Sequence, residues 1–150
     1  MENKILEISD LKVNPNNNSR LILVDNISLD LNKGKTTCIV GESGSGKSLT
    51  ALSVMQLLSS QLNMSGNIFF EGTNLLDLSK EEIRKKRGKD IAMIFQEPMT
   101  SLNPVLTIGY QIQEAIQVHQ KLSKIELSKR VQELLKIVGI PSSRNESFPD

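Results

Sequence analysis

The feature that most constrains this chain is the octapeptide at residues 41–48, which reads Gly-Glu-Ser-Gly-Ser-Gly-Lys-Ser. It fits the G-x-x-x-x-G-K-[ST] phosphate-binding pattern at every fixed position. Thr36 to Val40, just before it, is apolar and β-branched as in a buried strand, and Leu49 to Leu58, just after it, has helical spacing. A strand, a loop and a helix in that order are the context in which this pattern forms a P-loop.

The residue types of the loop predict how it would hold phosphate. Its glycines permit backbone angles that let N–H groups converge on phosphate oxygens at a helix N-terminus. We expect Lys47 to reach the β- and γ-phosphates and the Ser48 hydroxyl to bind the Mg²⁺ that bridges them. A flexible Gly/Ser loop with a chance Lys-Ser is the alternative, and the flanking elements argue against it. The predicted cofactor-binding residues are Gly41, Glu42, Ser43, Gly44, Ser45, Gly46, Lys47 and Ser48.

Composition excludes several other classes of protein. With 150 residues, of which 38% are hydrophobic and 23% charged, the chain has enough apolar residues for one domain or part of one. Its formal charge of +1 is too small to attract nucleic acid or an acidic membrane through a positive field of the whole protein. The single cysteine, Cys38, cannot form an internal disulfide and is expected to be a small core residue in a reducing compartment. The N-terminus does not read as a leader and no apolar run is long enough to cross a bilayer, so we expect neither secretion nor a membrane span.

The first part of the chain alternates strand and turn signals. Lys4 to Val13 reads as a strand, and the Asn-rich cluster from Asn14 to Ser19 is dense in turn formers. Ile27 to Leu31 alternates apolar and polar residues, and Gly66 to Phe70 reads as a further strand. These patterns predict a hairpin within an antiparallel β layer.

Helix signals dominate later. Ser79 with Glu82 forms a capping box, and the basic run from Arg84 to Lys89 reads as a solvated helix face, since no aromatic residues interleave for base stacking. Ile91 to Phe95 is a continuous apolar run suited to a central parallel strand, and it ends at Gln96.

From Leu102 onward the pattern is helical, and a second capping box, Ser123 with Glu126, starts another helix. One face of that helix is predicted to be apolar, and it comprises Leu127, Val131, Leu134, Leu135 and Val138.

Several spaced motifs together resemble a known family. They are the P-loop, the run Arg87 to Pro98 ending in Phe-Gln-Glu-Pro, the hexapeptide Met99 to Pro104, and Val138 to Pro141. The chain resembles the ATP-binding subunit of ABC transporters, in the oligopeptide, dipeptide and nickel importer branch. This implies an α/β P-loop NTPase, an incomplete ABC-type nucleotide-binding domain, with an N-terminal antiparallel β layer and a partial helical subdomain. The resemblance also implies that residues 1–97 belong to the ATP-binding core and that residues 98–150 belong to the helical subdomain.

The resemblance also implies roles and partners. Gln96 would contact Mg²⁺ and the attacking water and relay nucleotide state, and Lys47 would be its catalytic companion at the phosphates. The cofactors would be ATP and Mg²⁺. The partners would be transmembrane permease subunits, a second ATP-binding subunit and, indirectly, an extracytoplasmic solute-binding protein, with no nucleic acid. The chain would act at the cytoplasmic face of a membrane as a peripheral subunit, with Glu97 to Tyr110 as the surface that faces the permease.

The sequence departs from the family pattern in two ways. The family has an adenine-stacking aromatic residue in the first hairpin, and none lies near Pro15. The signature loop, the Asp-Glu strand end and the switch histidine do not occur within the 150 residues, and His119 reads instead as a partly exposed helix residue. We therefore expect a truncated form that does not hydrolyse ATP by itself.

Three functions follow from this sequence. The first is an ATPase subunit of a peptide importer, and the second is the same subunit of a nickel or metal-chelate importer. The third, from another class, is a non-catalytic nucleotide-binding fragment. A soluble P-loop kinase or GTPase is disfavoured, because the importer motif follows Ile91 where an acceptor-site or base-specificity motif would stand.

Overall fold

A computed structural model describes residues 3–97 and 101–149, and the chain divides into two compact units, Met1–Arg84 and Lys85–Asp150. Each unit is described by itself below. The expected division between residues 97 and 98 concerns the subdomains of the resembled family, and it stays a prediction.

The first unit is built on a four-stranded antiparallel sheet. Its strands are β1 (Lys4–Pro15), β2 (Val24–Asn32), β3 (Leu62–Phe70) and β4 (Thr73–Asn74), in the order β2-β1-β3-β4. β1 pairs with β2 on one side and with β3 on the other, both antiparallel. The predicted hairpin and β layer are therefore confirmed, and β1 lies between its two partners in the sheet.

A bulge in β1 keeps its apolar side chains buried. Leu6 and Ile8 are buried, and so are Leu11 and Val13, although simple alternation from Ile8 would bury residue 10 next. The register of both strand pairs shifts at this point, and Asp10 has a left-handed φ of 53°. One extra residue turns the later side chains back to the buried face, as a β-bulge does.

Three short helical segments complete the first part of the chain. They are α1 (Lys47–Val54), a 3-10 turn at Leu75–Asp77 and α2 (Lys80–Lys86), which spans the division between the units. At the start of α2 the Glu82 carboxylate accepts hydrogen bonds from the Ser79 backbone N–H and hydroxyl, at 2.8 and 2.6 Å, so the first capping box is confirmed. The helix predicted through Leu58 ends earlier, at Val54.

The second unit contains α3 (Ile108–Gln117), α4 (Lys124–Ile137) and a 3-10 turn at Ser142–Glu146. The Ser123/Glu126 capping box at the start of α4 is confirmed. Leu127, Val131 and Leu135 are buried as predicted. Val138 was also predicted to be buried, but it is 68% exposed, because it follows the last residue of α4.

The α3 helix packs closely on the Ser142–Glu146 turn at Gly109. A Cβ added to Gly109 would overlap the Asn145 side chain and lie 2.6 Å from its backbone carbonyl. Only a residue without a side chain fits at this contact.

None of the described helices has the length and apolar character required to cross a bilayer. The longest of them, α4, has 14 residues, whereas a span needs about 20.

Two strand predictions are wrong in this structure. Residues 36–40 and 92–95 are neither strand nor helix, and among the described residues the strand predicted from Ile91 to Phe95 pairs only through an isolated parallel bridge between Arg87 and Ile91. Cys38, expected in the core, is exposed. A central parallel strand is held by hydrogen bonds to neighbours on its two edges, and no described segment pairs with these residues. Without neighbouring strands to hydrogen-bond with, these two apolar segments do not form strands.

Candidate phosphate-binding site

The loop of residues 41–46 leads directly into α1. Gly46 occupies the N-cap position with a left-handed φ of 87°, no side chain caps the helix, and its first turn contains no acidic residue. The first N–H groups of an α-helix have no partner within the helix, and the helix dipole places partial positive charge at the same end. The uncapped N-terminus of α1 therefore offers amide donors to an anion.

The Lys47 ammonium lies across the loop. Its Nζ donates to the carbonyl oxygens of Gly41 and Glu42, at 2.7 and 2.6 Å, and to the Ser45 hydroxyl at 3.2 Å. Within the described part of the chain, none of the ion pairs includes Lys47. Since these three partners are neutral, the loop and the helix N-terminus retain the full positive charge of this side chain. The arrangement suits a phosphate group.

The hydroxyl groups of α1 divide into two kinds. The Thr50 and Ser53 hydroxyls donate to the carbonyl oxygens of Gly46 and Leu49, at 3.0 and 2.7 Å, and both residues are buried. Ser48, in the first turn, is exposed. Its hydroxyl oxygen is thus the one in this helix that is placed to meet a ligand.

The described part of the chain offers oxygen donors for a magnesium ion but no cluster of carboxylates. Among residues 3–97 and 101–149, no group of three or more His, Cys, Asp or Glu side chains could hold a metal. Mg²⁺ is typically held by one or two protein oxygens together with phosphate oxygens and water. The Ser48 hydroxyl fits that donor set, and it would hold the ion at the phosphates of a bound nucleotide. The Gln96 amide oxygen, in the second unit, stays a predicted ligand.

The end of the first hairpin borders the loop. A Cβ added to Gly46 would lie 3.0 Å from the Leu23 carbonyl oxygen and 3.0 Å from Cγ2 of Val24. Leu23 is itself tied to β1, because its N–H donates to the Val13 carbonyl at 2.8 Å. The sheet thus supports the loop at its last glycine. The sequence motif names Gly46 but carries no signal for its two neighbours in the hairpin.

The remaining predicted site residue, Gln96, belongs to the second unit. It is exposed and follows residues 92–95, which form no strand. Of the expected coupling surface, residues 101–105 and Tyr110 are exposed, whereas Pro98, Met99 and Thr100 lie outside the described residues. His119 is half-buried, as expected, and a Cβ on Gly88 would lie 3.3 Å from its Nε2. The roles of Gln96 and of this surface stay predictions.

The aromatic residue that the family pattern places in the first hairpin is missing from the sequence, and the aromatic residues of the first unit lie elsewhere. They are Phe69 and Phe70, both in β3, and Phe70 is buried. Residues 14–23 therefore offer no ring on which a base could stack.

A glycine-rich loop that caps a helix without a side chain, with a lysine folded over it, defines the P-loop class of phosphate-binding sites. Comparison with known families places the chain within that class. The family described as ABC transporter matches residues 24–149, and the chain belongs to that family.

Two relatives with assigned roles are peptide-transport proteins. The dipeptide transport ATP-binding protein DppD of Lactococcus lactis is 47% identical over 145 residues, covering 95% of this chain and 42% of DppD. The oligopeptide transport ATP-binding protein OppD of Bacillus subtilis is 43% identical over 151 residues, covering 97% of this chain and 42% of OppD. The chain thus spans less than half the length of these relatives.

Solved structures share the fold. CbiO1 from Clostridium perfringens, part of the ABC transporter complex cbiONQ, aligns with a TM-score of 0.67 and 28% identity, covering 99% of this chain and 54% of cbiO1. The ATP-binding cassette MJ0796, in a dimeric post-hydrolysis state with ADP and Pi, aligns with a TM-score of 0.74 and 22% identity, covering 96% of this chain and 61% of its own. At 22% identity, the similarity to MJ0796 supports a shared fold alone. The predicted ABC-type nucleotide-binding fold, present in part, is confirmed.

Proposed function

We propose that this chain is the ATP-binding part of an energy-coupling subunit of an ABC importer for oligopeptides or dipeptides. The observation that carries the proposal is the Lys47 ammonium, held by three neutral oxygens over a loop that ends in an uncapped helix N-terminus. Charge-assisted hydrogen bonds from this ammonium and the loop amides would hold the phosphates of ATP. Ser48 would bind Mg²⁺ at the same phosphates.

The solute and the partners are proposed from the relatives. Peptide transport is supported by the roles of the relatives DppD and OppD, which are dipeptide and oligopeptide transport proteins. A nickel or metal-chelate importer of the same branch is the alternative, since selectivity would reside in other subunits. The partners would be transmembrane permease subunits and a second ATP-binding subunit, with a solute-binding protein acting through the permease. The subunit would work at the cytoplasmic face of the membrane.

Gln96 would link nucleotide state to transport. A neutral amide can contact Mg²⁺ and orient a water molecule without adding charge. In a full-length protein, Gln96→Ala should therefore lower transport-coupled hydrolysis more than it lowers ATP affinity. Equal losses of both would make Gln96 a simple binding residue.

Calorimetric titration of Mg-ATP into the chain tests the nucleotide site. Lys47→Ala removes a charged donor worth about 2–3 kcal/mol, so we expect the affinity to fall by about 30- to 150-fold. Lys35→Ala is the matched control, because Lys35 is exposed and lies outside the loop. Equal affinity of the wild-type and Lys47→Ala chains would remove the basis of the proposal.

Hydrolysis by these 150 residues alone is not expected. Losing one preorganised group commonly lowers the rate by about a hundredfold to a thousandfold. These 150 residues contain neither the Asp-Glu strand end nor the switch histidine that the family pattern includes. We therefore propose that this chain alone is a non-catalytic nucleotide-binding unit. Steady phosphate release that Lys47→Ala abolishes would show instead that it contains its own catalytic residues.

A further inference from the structure

The first 68 residues of the chain contain no aromatic ring. Phe, Tyr, Trp and His are all absent from residues 1–68, which include β1, β2, the loop of residues 41–46 and α1. Proteins hold a nucleobase chiefly by stacking it on a ring or a guanidinium and by hydrogen bonds to its edge. A base attached to phosphates at this loop would therefore need other groups of the first unit to recognise it.

The rings of the first unit lie at the other end of the sheet. Val24, which borders Gly46, pairs with Val13 on β1, whereas Phe69 pairs with Glu7. Residues 7 and 13 of an extended strand are separated by about 20 Å. The other ring of this unit follows Phe69 in β3 and is buried. Neither ring is thus placed to stack on a base whose phosphates lie at the loop.

The carboxamides of the hairpin tip form hydrogen bonds within the first unit. Asn16 Nδ2 donates to the Ser60 carbonyl oxygen at 2.7 Å, and Asn18 Oδ1 accepts from the Arg20 backbone N–H at 3.1 Å. A group already paired in the protein gains little by exchanging that partner for the edge of a base. These two hydrogen bonds therefore stabilise the hairpin rather than select a base.

The exposed side chains of the tip, Asn17, Ser19 and Arg20, are the remaining candidates for contact with a base. Ordering exposed side chains costs conformational entropy, which offsets what a contact would gain. The Arg20 guanidinium could stack on a base, but such stacking occurs with every base because each has a π face. The side chains of the tip would thus treat different bases alike.

The groups that the loop does offer match phosphate. The Lys47 ammonium keeps its full charge, since its partners are the carbonyl oxygens of Gly41 and Glu42 and the Ser45 hydroxyl. The N-terminus of α1 adds amide donors with no side-chain cap. A cation and amide donors bind the oxygens of a polyphosphate equally well whatever group the chain of phosphates carries.

We propose that this site recognises a triphosphate without regard to its base, so that it takes the triphosphate of any nucleoside and inorganic tripolyphosphate as well. The inference rests on the proposed function only for the claim that the loop binds phosphate. A stacked base contributes about 5- to 150-fold in affinity at sites that possess a ring. Because residues 1–68 supply none, the dissociation constants of ATP, GTP and tripolyphosphate should agree within about fivefold.

Calorimetric titration of the 150-residue chain with ATP, GTP and tripolyphosphate, each as its Mg²⁺ complex and at equal ionic strength, tests the proposal. Lys47→Ala should lower the affinity for all three ligands by one common factor, about 30- to 150-fold, because its ammonium would meet the phosphates that they share. Lys35→Ala is the matched control and should leave the three affinities unchanged to within about twofold, since an exposed charge outside the loop contributes little. A cooperative thermal transition by circular dichroism confirms that each variant is folded.

Two results would overturn the proposal. The first is a preference of the wild-type chain for ATP over GTP or over tripolyphosphate by more than about fivefold, since the base would then be recognised. The second is tripolyphosphate binding that Lys47→Ala leaves unchanged, because the anion would then bind to another surface. ATP binding that depends on Lys47, without tripolyphosphate binding, would count against this inference alone. Failure of all three ligands to bind would count against the phosphate site, and so against the proposed function as well.

Discussion

Replacing glycines of the loop one at a time separates backbone strain from packing against the hairpin. Gly44 and Gly46 both have left-handed φ, at 82° and 87°. A Cβ on Gly44 meets nothing within 4 Å, whereas a Cβ on Gly46 lies 3.0 Å from Leu23 and Val24. Gly44→Ala should therefore report strain alone, and Gly46→Ala should report strain plus overpacking.

The two effects have different magnitudes. A left-handed conformation costs a residue with a Cβ about 1–2 kcal/mol. Forcing a methyl group against a packed neighbour costs about 1–3 kcal/mol more. We expect Gly44→Ala to destabilise the first unit by about 1–2 kcal/mol and Gly46→Ala by about 2–5 kcal/mol. Gly41→Ala should cost less than Gly46→Ala, because the one close contact of its Cβ is the Ser45 hydroxyl at 2.7 Å, and that side chain can rotate.

Urea unfolding followed by amide NMR signals of β1 and α1 measures this difference. Those probes report the first unit, and the two units need not unfold together. With a urea dependence of about 2 kcal/mol per molar, the midpoints of Gly44→Ala and Gly46→Ala should differ by about 0.5–1.5 M. Identical midpoints, or a lower midpoint for Gly44→Ala, would refute the contact between the loop and the hairpin.

Three further predictions concern α1 and the second unit. Ser48→Ala should weaken the Mg²⁺ dependence of ATP binding more than ATP binding itself, and an unchanged Mg²⁺ titration in calorimetry would argue against a metal role. Gly109→Ala should destabilise the second unit by about 2–3 kcal/mol, seen as a lower urea midpoint for α3 amides, because its Cβ overlaps Asn145. Hydrogen bonds from the Ser123 hydroxyl and backbone N–H hold the pKa of the Glu126 carboxyl below its ordinary value of 4.5. The stability that this capping box adds is present above that value and is lost as pH falls through the lowered pKa. Ser123→Ala should raise the Glu126 midpoint in an NMR titration, and an unchanged midpoint would contradict the hydrogen bond.

Features set by neighbouring residues could be predicted from the sequence. The two capping boxes, at Ser79/Glu82 and Ser123/Glu126, depend on groups three residues apart, and both form as expected. The hairpin of β1 and β2 follows from alternating side chains on either side of an Asn-rich turn. Lys47 contacts the loop because the motif fixes the number of residues between it and the glycines.

Features set by distant partners could not be predicted in this way. Residues 36–40 and 92–95 have the composition of buried strands, but whether a strand forms depends on neighbours along its edges. The bulge at Asp10 depends on how β1 meets β3 near Gly66, whose Cβ would lie 2.6 Å from the Asp10 carbonyl. Likewise, nothing in the sequence around Gly109 indicates its contact with Asn145.

The measurement that tests the central claim most directly is an NMR titration of the ¹⁵N-labelled chain with Mg-ATP. The account predicts that the largest amide shifts fall at 44–48, with smaller ones at Leu23 and Val24, since the phosphates would meet the loop amides and the hairpin borders Gly46. Shifts confined to the second unit, or none within 41–48, would contradict a phosphate site at this loop.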